Sequence, residues 1–165
     1  MSKPVFIDTS AWFALESRKD KNHKRASELL PSLARSRSLI TTNHVLGESY
    51  TLMCKLLGHD AATGFIRSLN RSRRVEILFT PQELEKKAYQ LLARHDGQRF
   101  SFADATSFVW MRKLRVREAF TFDQHFAAAG FVAIGTARGS AKRLEGLGGT
   151  EKELDRMPRR KPSSK

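Results

Sequence analysis

The sequence contains a single cysteine, Cys54, among its 165 residues. One thiol excludes an intrachain disulfide and any zinc site built from several cysteines, and it is typical of a reducing compartment. Long hydrophobic runs are also absent. The apolar stretch Val5–Ile7 is too short for a signal peptide, and no segment approaches the roughly 20 apolar residues of a membrane span. We therefore expect a cytoplasmic protein without a membrane anchor.

Acidic residues are scarce relative to basic ones, with 17 Asp and Glu against 30 Lys and Arg and a formal net charge of +13. This excess predicts a polyanionic partner, most often nucleic acid, although an anionic membrane surface would also suit it. A merely soluble basic protein is the alternative, since positive charge alone specifies no function. The sequence also lacks a P-loop, a GxGxxG motif and a Ser-His-Asp arrangement.

What the sequence does contain is a regular alternation of short apolar strands and amphipathic helices. Strands are predicted at 5–7, 38–42, 75–79, 119–122 and 131–134. Such alternation favours an α/β fold with a parallel sheet covered on both faces. We expect one domain over residues 1–135. Residues 136–165, rich in Gly, Lys, Arg, Pro and Ser, are predicted to form a disordered tail that either binds RNA or is simply solvated.

Acidic residues occur where a parallel sheet would bring them together. Asp8 ends the first strand, Asp123 follows the fourth, and Glu48 lies in the first turns of the helix after the second. Ligands bind at this carboxyl edge in open α/β sheets. Asp104 joins the group if its helix begins near the same edge. The alternatives are local: Asp104 completes a capping box with Ser101, Asp123 caps a helix, and Glu48 is a helix-surface acid.

Such a cluster of carboxylates needs compensation. Two unit charges about 4 Å apart repel by about 4 kcal/mol at an effective dielectric of 20. Several such pairs would consume most of a fold's margin of about 5–15 kcal/mol. The cluster must therefore be partly protonated or hold a cation, and all-oxygen ligation suits Mg²⁺ or Mn²⁺. With a basic surface around it, the site is interpreted as that of a metal-dependent nuclease acting on a phosphodiester.

The segments that carry these acids resemble the motifs of the PIN domain family. They read IDTSA at 7–11, NHVLGE at 43–48, SFADA at 101–105 and TFDQHF at 121–126. The similarity covers about residues 4–134. It implies a three-layer α/β/α sandwich with a parallel five-stranded sheet, and Mg²⁺- or Mn²⁺-dependent cleavage of single-stranded or structured RNA. It also implies a metal-binding and catalytic quartet of Asp8, Glu48, Asp104 and Asp123, assisted by the hydroxyls of Thr9, Ser10 or Thr121.

Many compact prokaryotic members of this family are VapC-type toxins, which usually form homodimers and are neutralised by a small antitoxin; the resemblance implies both properties here. The chain departs from the pattern at Arg99, where related sequences often carry another acid, and in its longer basic tail. These departures favour the rival hypothesis, a catalytically silent PIN-fold module that binds RNA or a protein partner. The intact quartet argues against it.

Several other residues have a local and a functional interpretation. His44 and His125 are predicted to lie on helix surfaces, with metal binding beside Glu48 or substrate contact as the alternatives. Trp12 is predicted to lie in the core rather than to stack on a base. The cations at 71, 73 and 74 form either a phosphate-contacting patch or a solvated turn.

Overall fold

The computed structural model describes residues 3–94, 97 and 99–136, which form five strands and seven helices. The strands are β1 (Val5–Ile7), β2 (Leu39–Thr42), β3 (Val75–Leu78), β4 (Glu118–Phe120) and β5 (Val132–Ala133). The helices are α1 (Thr9–Glu16), α2 (His23–Ser36), α3 (Asn43–Leu57), α4 (His59–Arg71), α5 (Gln82–Arg94), α6 (Phe102–Lys113) and α7 (Gln124–Ala128). Apart from Thr136, the predicted tail lies outside the described residues.

All strand pairings are parallel, and the sheet order is β3-β2-β1-β4-β5. The chain moves from β1 to β2 and β3 in one direction, then crosses to β4 and β5 on the other side. Because such crossovers are right-handed, the helices of the two halves cover opposite faces. Accordingly α1 packs on α2 and α3, while α6 packs on α5 and α7. The predicted three-layer α/β fold with a five-stranded parallel sheet is confirmed.

The centre of the sheet is packed with aromatic side chains. Phe6, Phe120 and Phe126 are completely buried, and Phe126 contacts Phe108 with ring centroids 5.0 Å apart. Burying one such ring stabilises the fold by about 1.5–3 kcal/mol. Trp12 also lies in the core, as predicted, where it packs against Phe65. This core holds β1 and β4 rigidly side by side, and the strand order reverses between them.

Local details differ from the sequence predictions at the ends of elements. Asp8, which ends the first strand, also caps α1, and Thr9 and Ser10 already belong to the helix. The strands after the first are each one or two residues shorter than predicted. α4 begins at His59, because Gly58 at φ 94° turns the chain directly from α3 into α4. Among the described residues, no helix is long and apolar enough to cross a membrane.

Candidate active site

Asp8 lies at the carboxyl end of β1, where the strand order reverses. Its Oδ2 accepts hydrogen bonds from the Ser10 backbone N–H (3.1 Å), the Ser10 hydroxyl (2.7 Å) and the Thr121 hydroxyl (2.9 Å). The residue is only 3% exposed. Burial, together with the charge of Asp104, raises the pKa of Asp8 to about 6 in spite of the hydrogen bonds from Ser10 and Thr121.

Two hydroxyl groups join the ends of β1 and β4. Thr121, completely buried, accepts a hydrogen bond from the backbone N–H of Asp123 (3.0 Å) while it donates to Asp8. Ser10 accepts from the backbone N–H of Phe122 (2.9 Å). The two carboxylate-bearing segments are therefore held together by a hydrogen-bond network across the switch point of the sheet, the usual ligand crevice of such folds.

Asp104 belongs to the capping box of α6 and also to the acidic cluster. Its Oδ2 accepts from the backbone N–H of Ser101 (2.9 Å), and the Ser101 hydroxyl accepts from the Asp104 N–H (3.0 Å). Burial raises the pKa of Asp104, and the charges of Asp123 and Glu48 raise it further. α6 therefore begins at the edge of the sheet where the other three acids lie, which is the condition for all four acids to meet.

Asp123 caps α7, and His125 lies between it and Asp104. Asp123 Oδ1 accepts from the backbone N–H of His125 (2.9 Å). The imidazole Nδ1 of His125 lies 3.2 Å from Asp104 Oδ2 and 3.4 Å from Asp123 Oδ2. One ligand atom from each of these three residues lies within 4.8 Å of the other two. The prediction of a helix-surface role for His125 is wrong, because its imidazole lies between two carboxylates of the cluster.

Glu48 reaches the cluster from α3, where the Thr9 hydroxyl donates to its Oε2 at 2.6 Å. His44, one turn earlier, instead has its Nε2 3.0 Å from Glu85 Oε1 and its ring edge-on against Phe102. The structure therefore gives no support to a metal shared by His44 and Glu48. Arg99 is exposed.

The carboxylates share a pattern that suits a cation. In each of Asp8, Glu48 and Asp104 one oxygen is hydrogen-bonded, and the other accepts no hydrogen bond from the described residues. Carboxylate oxygens with a free lone pair are the ligands that Mg²⁺ and Mn²⁺ prefer. A cation would also relieve the repulsion and the burial cost that raise the pKa values of Asp8 and Asp104. The residues present thus fit a divalent metal.

Comparison with known proteins gives consistent matches. The model of the PIN domain family matches residues 5–132. Two relatives, each a 23S rRNA-specific endonuclease VapC20 from a strain of Mycobacterium tuberculosis, are 41% identical over 130 residues, covering 79% of this chain and 97% of theirs.

Solved structures agree with this result. The crystal structure of Mycobacterium tuberculosis VapC20, a sarcin-ricin loop cleaving toxin, has a TM-score of 0.74 and 40% identity, covering 79% of this chain and 98% of that one. VapBC2 from Rickettsia felis, bound to a DNA fragment from its promoter, has a TM-score of 0.60 at 12% identity, covering 79% and 96%. The second likeness shows the fold alone.

Proposed function

The chain belongs to the PIN domain family, and from that premise we propose that it is a divalent-metal-dependent endoribonuclease, the toxin of a toxin–antitoxin pair. The observation that carries the proposal is the meeting of Asp8, Glu48, Asp104 and Asp123 at the switch point of the sheet. The relatives at 41% identity, which are named endonucleases, support the same conclusion. A silent binding module would have no need of buried carboxylates that destabilise the fold.

Within the site we assign the metal to the four carboxylates, with Mg²⁺ or Mn²⁺ as the ion. When bound, such an ion activates water and stabilises the charge that develops on the leaving oxygen of the phosphodiester. Ser10 and Thr121 orient Asp8 through their hydroxyls. His125 bridges Asp104 and Asp123 and keeps their carboxylates close together. Basic side chains on the surface hold the RNA backbone.

Ribosomal RNA is the substrate that we propose. The relatives that share 41% of residues are named for 23S rRNA, and this chain covers 97% of their length. A formal net charge of +13 suits a large folded RNA. We place the protein in the cytoplasm for the same reason, since its substrate is there.

We further propose a cognate antitoxin and a homodimer, which the VapC-type resemblance implies. Phe79 and Tyr89 are 75% and 57% exposed and offer apolar area for a contact between copies. Sedimentation of the wild type and of Phe79→Ser tests this: a wild-type dimer that the substitution weakens supports it, and a wild-type monomer contradicts it.

Purified ribosomes incubated with the protein in Mg²⁺ or Mn²⁺, followed by primer extension across the ribosomal RNA, test the substrate. We expect a discrete cut with the wild type and none with Asp8→Asn. Equal binding of both proteins to the ribosome without any cut would instead favour the silent binding module.

A further inference from the structure

Basic side chains gather at the edge of the sheet opposite the acids. They lie in the segments that lead into β1, β2, β3 and β4, and we call this set the amino edge: Lys3, Arg35, Arg37, Arg71, Arg73, Arg74, Lys113, Arg115 and Arg117. Because the strands are parallel, all of these entry segments lie at the same edge. The PIN-type site at the other edge does not account for them.

The strand register aligns these cations in a row. Val5 pairs with Leu39, and Leu39 pairs with Val75. Lys3, Arg37 and Arg73 are each two residues before those positions. Phe6 pairs with Ala119, which places Arg117 at the level of Pro4 in the next strand. Since neighbouring strands are about 4.8 Å apart, these positions form a row across four strands, which we call the band: Arg73, Arg37, Lys3 and Arg117.

Two of the arginines are partly used by the fold. Arg37 donates to the Lys3 carbonyl (2.6 Å) and pairs with Glu118 (2.7 Å), and Arg74 donates to the Ala34 carbonyl (2.7 Å). These bonds tie the entry segments together. The ion pair with Arg37 offsets the charge of Glu118. Glu76 of β3 also lies near the band, and it forms no ion pair with the described residues.

Three further arginines of the amino edge have no such structural use. Arg35, Arg73 and Arg117 are exposed, and in the portion of the chain that the structure describes they form no ion pair. Holding like charges side by side raises the energy of the free protein unless an anionic partner compensates them. The amino edge consists mainly of arginine, whose planar guanidinium binds phosphate through two parallel hydrogen bonds.

We propose that the amino edge is a second RNA-binding surface, which holds the backbone of an RNA segment separate from the one that is cut. The two edges are far apart: from Lys3 to Asp8 the chain of β1 spans roughly 17 Å. A hairpin with a stem of about four base pairs, roughly 14 Å long at about 3.4 Å per pair, does not reach from the acids to the band, whereas a large folded RNA does. The inference rests on the proposed ribosomal substrate and extends it to a second contact.

The test combines Arg35→Gln, Arg73→Gln and Arg117→Gln in the full chain. Binding to purified large ribosomal subunits and to a short hairpin containing the mapped cut is measured over a range of salt concentrations. Each lost phosphate contact lowers the slope of log affinity against log salt by about 0.7 to 0.9, so three contacts lower it by about 2 to 3. We expect subunit affinity to fall roughly 10- to 100-fold, and the ratio of subunit to hairpin cleavage to fall with it.

A matched triple variant, Lys24→Gln, Lys55→Gln and Lys86→Gln, removes the same charge from exposed positions within α2, α3 and α5. It should keep the wild-type ratio of subunit to hairpin cleavage. Equal losses in the two triple variants would show a general charge effect and overturn the proposal.

The remaining outcomes separate this proposal from the proposed function. If the wild type cuts neither RNA, the ribonuclease assignment fails, while the binding measurement still decides on the amino edge. If the arginine variant binds and cuts subunits like the wild type but escapes neutralisation by the antitoxin, the amino edge is a protein-binding surface and the RNA proposal is wrong.

Discussion

At the scale of single residues, the acids of the site have two opposite effects on stability: they cap helices, but burial of their charge destabilises the fold. Asp8 and Asp123 cap helices, and Asp104 completes a capping box, so each stabilises a helix start. Burial raises the pKa values of Asp8 and Asp104, so their ionised forms lower the stability of the protein. Buried charges of this kind are typical of a functional site, since a hydrophobic or amide side chain could be buried there at a lower cost in folding free energy.

Replacing Asp8 with asparagine should therefore stabilise the metal-free protein near neutral pH. The pKa of Asp8 rises from its usual 3.8 to about 6 in the folded state. Between these values the folded state binds more protons than the unfolded state, so the free energy of unfolding falls as pH rises through this window. Relative to Asp8→Asn, the wild type should lose about 2 to 3 kcal/mol between pH 4 and pH 7.

Urea unfolding in EDTA at several pH values measures this difference. Asp60→Asn is the matched control, because Asp60 is exposed on α4. If the difference in the free energy of unfolding between the wild type and Asp8→Asn does not change with pH, the pKa of Asp8 is not raised in the folded state.

Thr121→Val tests the hydroxyl network at the same scale. The substitution keeps the shape of a completely buried side chain but removes a donor to Asp8 and an acceptor for the Asp123 N–H. We expect a loss of about 1–3 kcal/mol in the free energy of unfolding, and a higher metal concentration for half-maximal cleavage. Thr121→Ser retains the hydroxyl and should restore the metal dependence; a serine variant as impaired as the valine one would contradict this role.

At the scale of elements, the sequence predicted what is local and missed what depends on packing. The alternation of strands and helices and the capping box of α6 follow from short motifs, and the structure confirms them. The position of His125 depends on how separate segments meet, because its imidazole contacts Asp104, 21 residues earlier in the chain. No local pattern states that the imidazole of α7 lies beside the first turn of α6.

Gly135 shows how an element outside the four motifs positions the site. A Cβ at this position would collide with the carbonyl oxygen of Thr121 and lie 2.9 Å from ring atoms of Phe122. Gly135→Ala should push the end of β4 away from Asp8, with a loss of about 1–3 kcal/mol in stability and a marked loss of cleavage.

Gly64→Ala on α4 is the control for the Gly135 variant, because a Cβ there meets nothing within 4 Å. It should stabilise the protein by about 0.5–1 kcal/mol, since alanine loses less backbone entropy in a helix. Thermal unfolding and cleavage of ribosomal RNA measure both variants. If the two substitutions have the same effect on stability and cleavage, the close approach of Gly135 to the residues after β4 does not position the site.

At the scale of the whole molecule, charge is divided between the two edges of one sheet. Acids meet at the carboxyl ends of the strands, and arginines line the segments that enter them. The parallel topology produces this division, because it places all strand ends on one side and all strand starts on the other. The net charge of +13 predicted an anionic partner, but only the strand register shows that a part of the positive charge lies in a row along the amino edge.

Metal binding should stabilise the whole fold. A ligand at 100 times its dissociation constant adds about 2.7 kcal/mol to the free energy of unfolding. We expect Mg²⁺ or Mn²⁺ to raise the melting temperature of the wild type, and EDTA to reverse the effect. Glu83→Gln, which removes an exposed carboxylate from α5, should respond like the wild type, whereas Glu48→Gln should not. An equal response of both variants would indicate nonspecific binding.

Cleavage of purified ribosomes by the wild type and by Asp104→Asn, with Mn²⁺, Mg²⁺ or EDTA, is the most direct test of the central claim that the acids form a metal-dependent ribonuclease site. The amide of the variant keeps an oxygen that can accept the Ser101 N–H of the capping box, so α6 should remain intact. We predict a discrete cut by the wild type that requires metal, and none by the variant. Cutting that persists in EDTA, or in Asp104→Asn at the wild-type rate, would contradict the assignment.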